Sequence, residues 1–346
     1  MKKIIFAVAA IGIAGYYLVH KFVLNVNNDI NSIKSEVKPS SQSYVPSDGM
    51  TAPNKAQTNT HAGTPMSADA YIYVSNLNTT TVSVCPLFSD GNIGTCAGTG
   101  ANFNAPSGLS ISHDNKILYV TNQGSNETDA CQIDPVSGSL NSCVATGNDF
   151  NAPSALAISP NGLFAYVTNE NGNSVSRCNH DRGTHLLSGC EQALDGLMMP
   201  SDINFGPAGS GRVYIANSEN NTVLLCTIGL AKGLVKCQST GNDFSSPQSV
   251  TVSFDGRFAY VTNQAANNVN LCQINQTSGE LFSCTATGSD FNAPSDFTLN
   301  RSGNVALISE VDSIMKCNVA SDGNLTGCQQ YNGNFNHSTG IRVFNK

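Results

Sequence analysis

The sequence predicts an all-β fold in which one four-stranded unit is copied six times around a closed ring. Three observations predict it. A strand-like segment ending in a polar residue returns about every 46 residues from position 71 onward, and self-similarity at such a period marks a repeat architecture. Apolar residues alternate with polar ones in the segment ahead of it, as a strand with one buried face requires. Each unit carries two cysteines, and the chain ends on a first strand although the ring opens on a second one. Four antiparallel strands in a unit of this length make a blade of a β-propeller.

The chain opens with residues 1–24, where Lys2 and Lys3 precede an apolar run from Ile4 to Val19. Two readings stand. A cleaved signal peptide needs a small-x-small site after the run, and the small residues Ala7, Ala9, Ala10 and Ala14 lie inside it instead. An uncleaved anchor needs roughly 20 apolar residues, so this run is near the lower limit. The anchor is the favoured reading, and the two lysines keep its N-terminus cytoplasmic. Both readings export the rest of the chain, to the periplasmic face of an inner membrane or, if the segment is cleaved, to the outside or the cell surface. Residues 25–69 are dominated by Ser, Pro, Asn, Thr and Gly without apolar period. They read as a flexible linker that holds 71–346 away from a membrane.

Within 71–346 the recurring strand appears as YIYVSN (71–76), ILYVTN (117–122), FAYVTN (164–169), RVYIAN (212–217), FAYVTN (258–263) and, less clearly, VALISE (305–310). β-branched and aromatic residues closed by a polar cluster are a strand signal. Ahead of each lies an alternating segment after a Pro-Ser-like turn: 107–112, 154–159, 201–206, 248–253 and 295–300, with a sixth at 339–344. Turns such as SPNG (159–162) and SFDG (253–256) join the two, because Asn, Asp and Gly accept the dihedrals needed. Two further short strands follow in each unit. The strand at 339–344 is expected to complete the blade begun at 71–76 and so remove the open edge of the ring.

The cysteines fall into six pairs: Cys85/Cys96, Cys131/Cys143, Cys178/Cys190, Cys226/Cys237, Cys272/Cys284 and Cys317/Cys328. Structural zinc draws ligands from closer steps than these. A disulfide across the outer hairpin of each blade fits better, and six of them imply an oxidising compartment. One blade also places His180 and His185 between Cys178 and Cys190. A Cys₂His₂ metal site is the sharp reading there, and a disulfide hairpin with two exposed turn histidines is the favoured one.

YVTN at 119–122, 166–169 and 260–263, together with the APS and SPNG elements, resembles the YVTN-type β-propeller repeats, relatives of the NHL-like and lactonase-like propellers. The resemblance spans 71–346 and implies fold more than function, since propellers host many activities. The chain has no Trp, which counts against a WD-type repeat, and a cysteine pair per blade is outside the pattern of the family.

Charged residues make up 12% of the chain and the net charge is −7. A nucleic-acid partner is excluded by the lack of a basic surface. No nucleophile elbow, phosphate-binding loop, HExxH or dinucleotide fingerprint is present. Propellers bind ligands at the channel mouth, where the innermost strands start. The residues after the Pro-Ser turn there are Gly108, Ala155, Asp202, Ser249, Asp296 and Gly340, followed on the channel side by Ser110, Ala157, Asn204, Thr251, Thr298 and Arg342. Asp202 and Asp296 stand out, with Asn204 and Arg342 beside them, as candidate ligand residues. Two converging carboxylates suit Ca²⁺ or acid–base work, and equally suit turn chemistry. A repeated Phe (103, 150, 244, 291, 335) is expected to pack between blades, and Met198 with Met199 is expected in the core.

Two functions follow as expectations. The main reading is an exported, membrane-tethered module that binds a protein or glycan partner without catalysis or cofactor. The alternative is a lactonase-like hydrolase or lyase with its site at the channel mouth, which the resemblance implies and no catalytic motif settles.

Overall fold

A computed structural model of the chain describes residues 68–100, 102–207, 209–229 and 233–346. The readings of residues 1–24 as anchor or signal and of 25–67 as linker lie outside the described residues. Six antiparallel four-stranded sheets form the expected propeller. From the channel outward, blade 2 is Pro106–Ile111, Ile117–Asn122, Glu127–Ile133 and Leu140–Thr146. Blade 3 is Pro153–Ile158, Phe164–Asn169, Ser174–His180 and Leu187–Leu194, and blade 4 is Pro200–Phe205, Arg212–Asn217, Thr222–Ile228 and Leu234–Thr240. Blade 5 is Pro247–Val252, Phe258–Asn263, Asn268–Ile274 and Leu281–Thr287, and blade 6 is Phe297–Leu299, Val305–Ser309, Ser313–Val319 and Leu325–Asn332. Blade 1 joins the two ends of the described chain: Ser338–Asn345 is its inner strand, followed by Ala70–Asn76, Val82–Leu87 and Ala97–Thr99. The register of closure pairs Ile72 with Val343 and Val74 with Ile341. No unpaired inner edge is left in blade 1.

The YVTN strand has a separate physical task for each of its letters. Its Tyr is fully buried and reaches the outer turn of the following blade: Tyr73 Oη donates to Gly138 C=O at 2.6 Å, Tyr214 Oη to Gly279 C=O at 2.6 Å and Tyr260 Oη to Gly323 C=O at 2.8 Å. Burial pushes the Tyr214 and Tyr260 hydroxyls up to about 12, so they stay neutral donors. Its Val lies in the apolar interior. Its Thr, or Ser in blades 1 and 6, accepts a backbone N–H that the inner strand would otherwise leave unpaired, as in Gly108 N–H to Thr121 Oγ1 at 2.7 Å and Ser249 N–H to Thr262 Oγ1 at 2.9 Å. Its Asn accepts from the residue just after the Phe that precedes it in the chain, as in Asn151 N–H to Asn169 Oδ1 at 3.1 Å and Ser245 N–H to Asn263 Oδ1 at 3.1 Å. The weak sixth copy keeps the last task with a longer side chain: Glu310 Oε1 accepts from Asn292 N–H at 2.9 Å. Burial raises the Glu310 carboxyl above the usual range.

The core is divided into one apolar cluster at each junction between consecutive blades. Phe103, Phe150, Phe244, Phe291 and Phe335 each sit in one of them, as expected. At the sixth, between blades 3 and 4, Leu197 takes the place of Phe. This corrects the reading of the neighbouring methionines. Met198 and Met199 are 42% and 38% exposed, because Leu197 already fills the apolar slot, and Met199 reaches the rim of the channel.

All twelve cysteines are paired within their own blades: Cys85–Cys96, Cys131–Cys143, Cys178–Cys190, Cys226–Cys237, Cys272–Cys284 and Cys317–Cys328, with Cα–Cα distances of 3.9–4.1 Å. The two members of a pair differ in surroundings. Cys85, Cys131, Cys178, Cys226, Cys272 and Cys317, on the third strands, are fully buried in the apolar clusters. Their partners lie at the outer edge of the blade, where Cys96, Cys143, Cys190, Cys237 and Cys328 are half-buried and Cys284 alone is buried. Cys178–Cys190 is one of these bonds, so the Cys₂His₂ reading of blade 3 is excluded. Each bond closes a loop with a sequence separation of 11 or 12, worth about 3 kcal/mol in the chain-entropy model.

Candidate functional site

The inner strands bulge as they enter the channel. Register shifts fall between Pro106 and Leu109, Pro153 and Ala155, Pro200 and Asp202, and Pro247 and Ser249. A bulge adds one residue and re-aims the side chains on either side of it. Counting by twos through the strand therefore slips by one, and the residues that line the mouth are those one position before the expected set. Ser107, Ser154, Ser201, Gln248, Ser295 and Thr339, one from each blade, surround a basin of about 410 Å³. The cysteines predicted as disulfides take no part in it: Cys96, Cys143, Cys237, Cys284, Cys328 and their partners are structural residues of the outer hairpins. The residue two places ahead of each lining residue is left-handed, with φ of 46–57° at Ala105, Ala152, Met199, Ser246, Ala293 and His337. Such backbone costs on the order of 1–3 kcal/mol per residue and persists where neighbours over-determine it. Ala152 is held from both sides, its N–H on Asn126 Oδ1 of blade 2 and its C=O on the N–H of Glu170.

The basin is polar. Ser154 Oγ and Ser201 Oγ donate to the carbonyls of Pro200 and Pro247 in the next blade, at 2.7 and 2.9 Å. With their protons spent, these oxygens present lone pairs. A second tier comes from the residues that follow the second strands: Gln123, Glu170, Ser218 and Gln264. Glu170 accepts a hydrogen bond from the Gln123 amide. Its carboxyl is raised above the usual range, chiefly because burial strips it of water. Glu219 and His337 complete the charged or titratable groups of the wall.

Asp202 and Asp296 are brought near each other, but inside the wall of the channel, 4% and 6% exposed. Each carboxylate ties its inner strand to the next. Asp202 Oδ2 accepts from Val250 N–H at 2.9 Å, and Asp296 Oδ2 from Ile341 N–H at 2.9 Å. Asp296 also pairs with Arg342 Nη1 at 2.5 Å. Burial, reinforced by the charge of Asp296, pushes Asp202 up to about 6 against the opposing pull of Arg342. Where the equivalent residue is glycine there is no room for a side chain: a Cβ on Gly108 would stand 2.3 Å from Ser154 O, and one on Gly340 2.5 Å from Ser107 O. Asn204 and Arg342 line a separate cavity of about 330 Å³ at the other end of the channel, with Thr251, Thr298 and Phe254. Among the described residues no group of three or more His, Cys, Asp or Glu is placed to hold a metal ion. Glu170 was missed from the sequence because it follows a motif that reads as structural; its position after the terminal Asn of FAYVTN, unmatched by an acid in the five other blades, was the available signal.

A family model described as "Lactonase, 7-bladed beta-propeller" matches residues 142–254, about a third of the chain. No curated protein matches the sequence. Solved structures share the architecture at low identity. The periplasmic gluconolactonase of Pseudomonas aeruginosa aligns with TM-score 0.59 and 13% identity over 80% of this chain and 99% of that one. A putative 6-phosphogluconolactonase from Bacteroides fragilis gives TM-score 0.59 and 14% identity over 81% and 99%. A chain of a nidogen/laminin complex gives TM-score 0.64 and 11% identity over 80% and 98%. The propeller architecture is common to all three, while their descriptions range from gluconolactonases to a nidogen/laminin complex.

Proposed function

We propose that the protein hydrolyses small polyhydroxylated lactones in the basin at the channel mouth. The observation that carries this reading is Glu170, a half-buried carboxyl of raised pKa on the wall of a hydroxyl- and amide-lined basin fed by all six blades. A carboxylate whose pKa is shifted toward neutrality is a better base toward a water molecule than an ordinary one. Glu170 takes the proton of the water as its oxygen adds to the lactone carbonyl carbon, and returns that proton to the ring oxygen when the acyl C–O bond breaks. The serine lone pairs and the glutamine amides hold the hydroxyls of the sugar ring. The lactonase-family match supports the reading, and its span includes Glu170. So does the likeness in fold to gluconolactonases. We read the repeats as YVTN-type and place the propeller in an oxidising compartment such as a periplasm, which six disulfides suit.

The test is hydrolysis of glucono-δ-lactone and a panel of γ- and δ-lactones, followed by pH-stat over the spontaneous rate. Glu170→Gln is expected to lower kcat by roughly 10²–10⁴-fold. The acid limb of the wild-type profile should lie above the ordinary glutamate value of about 4.3. A wild type without turnover of any lactone rejects the hydrolase. The binding-module reading keeps one observation in its favour, the exposed pair Met198 and Met199, of which Met199 lies at the rim. Capture of a protein or glycan partner that Met198→Lys and Met199→Lys abolish, in a protein inert to lactones, is the outcome expected from it.

A further inference from the structure

Three of the four histidines in the described part of the chain, His113, His180 and His185, line one pocket of about 480 Å³. It lies between blades 2 and 3, on the face away from the channel mouth, where the inner strand of blade 2 ends at Ile111 and the third strand of blade 3 ends at His180. The other blades serve as internal controls. Where blade 3 buries His180, blades 1, 2, 4, 5 and 6 have Leu87, Ile133, Ile228, Ile274 and Val319. Where blade 3 has His185 at φ 60°, blades 1, 2, 5 and 6 have Gly91, Gly138, Gly279 and Gly323, all with positive φ. A buried imidazole in place of an aliphatic side chain and a left-handed non-glycine residue both cost stability. Two costly departures from the repeat meet in one pocket.

The donors of that pocket converge over a gap in the wall. Gly162 has no side chain, and a Cβ there would lie 3.2 Å from Arg182 Nε and 3.7 Å from His113 Nδ1. Arg182 is anchored by Nη2 on the carbonyl of Asn161, which leaves Nε and Nη1 without a partner among the described residues. His113 is exposed and makes no hydrogen bond among them. His180 Nδ1 is held by Gly162 C=O at 2.8 Å and Nε2 lies 2.7 Å from Tyr119 Oη. His185 Nε2 is 3.3 Å from Asp114 Oδ2, and its Nδ1 is buried without a partner.

The two carboxylates nearby are already committed. Asp114 pairs with Lys116 at 3.3 Å, with His185, and with the Ser112 hydroxyl. Asp181 accepts the N–H groups of Gly183 and Thr184. A cation has no ligand set here: Cys178 and Cys190 are joined to each other, and no three groups are placed to hold a metal among the described residues.

We propose that this pocket binds a small oxyanion, the carboxylate or phosphate group of a small molecule, with Arg182 and His113 as its donors and His185 beside them. Guanidinium and imidazolium donors suit such oxygens, and the bonds strengthen when the imidazole is protonated. His113, His180 and His185 stand close to one another, with Arg182, Lys116, Asp114, Asp181 and the Tyr119 hydroxyl as the other titratable or charged groups around them. Binding tightens as pH falls, because an anion favours the protonated imidazoles. The site is independent of the lactone reading and lies at the opposite face from it.

The experiment is calorimetric titration of the full, disulfide-bonded chain with inorganic phosphate and, separately, with acetate, at pH 5.5 and pH 8.0 and constant ionic strength. Saturable one-site binding of at least one of them is expected, about tenfold tighter at pH 5.5. Phosphate alone assigns a phosphoryl ligand, and acetate alone a carboxylate. Arg182→Ala and His113→Ala, both exposed and outside the core, should each weaken it at least tenfold, while Arg257→Ala in blade 5 should leave it unchanged. No saturable binding of either anion at pH 5.5 overturns the proposal, as does binding indifferent to the Arg182 and His113 substitutions or to pH.

Discussion

Blades 3 and 5 carry the same second strand, FAYVTN, at 164–169 and 258–263. Both close an outer hairpin with a disulfide of sequence separation 12. Yet the third strand of blade 5 ends on the buried Ile274 and turns at Gly279, while that of blade 3 ends on His180 and turns at His185. The difference teaches how to separate architecture from function in a repeat. What the copies share is what each blade needs to stand against its neighbours, and what one copy does at a cost in stability points elsewhere.

The largest effect tests the shared part. Replacing both cysteines of either blade by serine, Cys178 with Cys190 or Cys272 with Cys284, removes a cross-link over a loop of the same length, so each double variant should lose about 3 kcal/mol in denaturant unfolding. A clear inequality between the pairs would break the equivalence of the two blades. The tyrosines come next. Tyr260→Phe loses one bond to Gly323 C=O and should cost about 1 kcal/mol. Tyr119→Phe removes a hydroxyl that has both His185 C=O and the buried Nε2 of His180 within hydrogen-bond reach and leaves Nε2 without a partner, so about 2 kcal/mol is expected. Equal losses would mean that His180 does not depend on Tyr119.

The smallest effect is the most diagnostic. Burial lowers the pKa of His180 below its usual value. The folded protein therefore binds fewer protons at this site than the unfolded chain, and stability falls as pH drops below about 6.5. His180→Ile, which restores the side chain of blade 5, should raise stability by about 1 kcal/mol at pH 5 and by less at pH 8. The melting temperature at the two pH values reads this directly, and a gain that does not grow on acidification would remove His180 from the set of titrating groups.

The ring itself was legible because strand period, turn residues and repeat length all point the same way. Even the order of closure could be read, since Ser338–Asn345 has the alternation of an inner strand and no partner nearer in sequence than Ala70–Asn76. The cysteine pairing was legible for a local reason: each of Cys96, Cys143, Cys190, Cys237, Cys284 and Cys328 has its mate one hairpin upstream. The candidate site was legible only as a region. Period-two counting assumes an unbroken strand, and the bulge between Pro200 and Asp202 moved the lining residue of blade 4 from Asp202 to Ser201; Ser295 takes the same place in blade 6. Asp202, Asp296 and Arg342 do come together, but their partnership is with backbone N–H groups across a junction, a tertiary relation that no local pattern encodes. The methionines were misread for a simpler reason: Leu197, three residues before Pro200, stands in register with the repeated Phe and takes the apolar slot, so Met198 and Met199 fall outside it.

Closure in blade 1 also sets a timetable. Ala70–Asn76 gains its inner partner only when Ser338–Asn345 has been made, so the earliest strand of the ring waits for the latest. Every cystine, by contrast, joins residues no more than 12 apart, close enough to meet while the rest of the chain is still missing. Each cysteine thus has its mate within its own hairpin, present in the chain before the strand that latches the circle has been made.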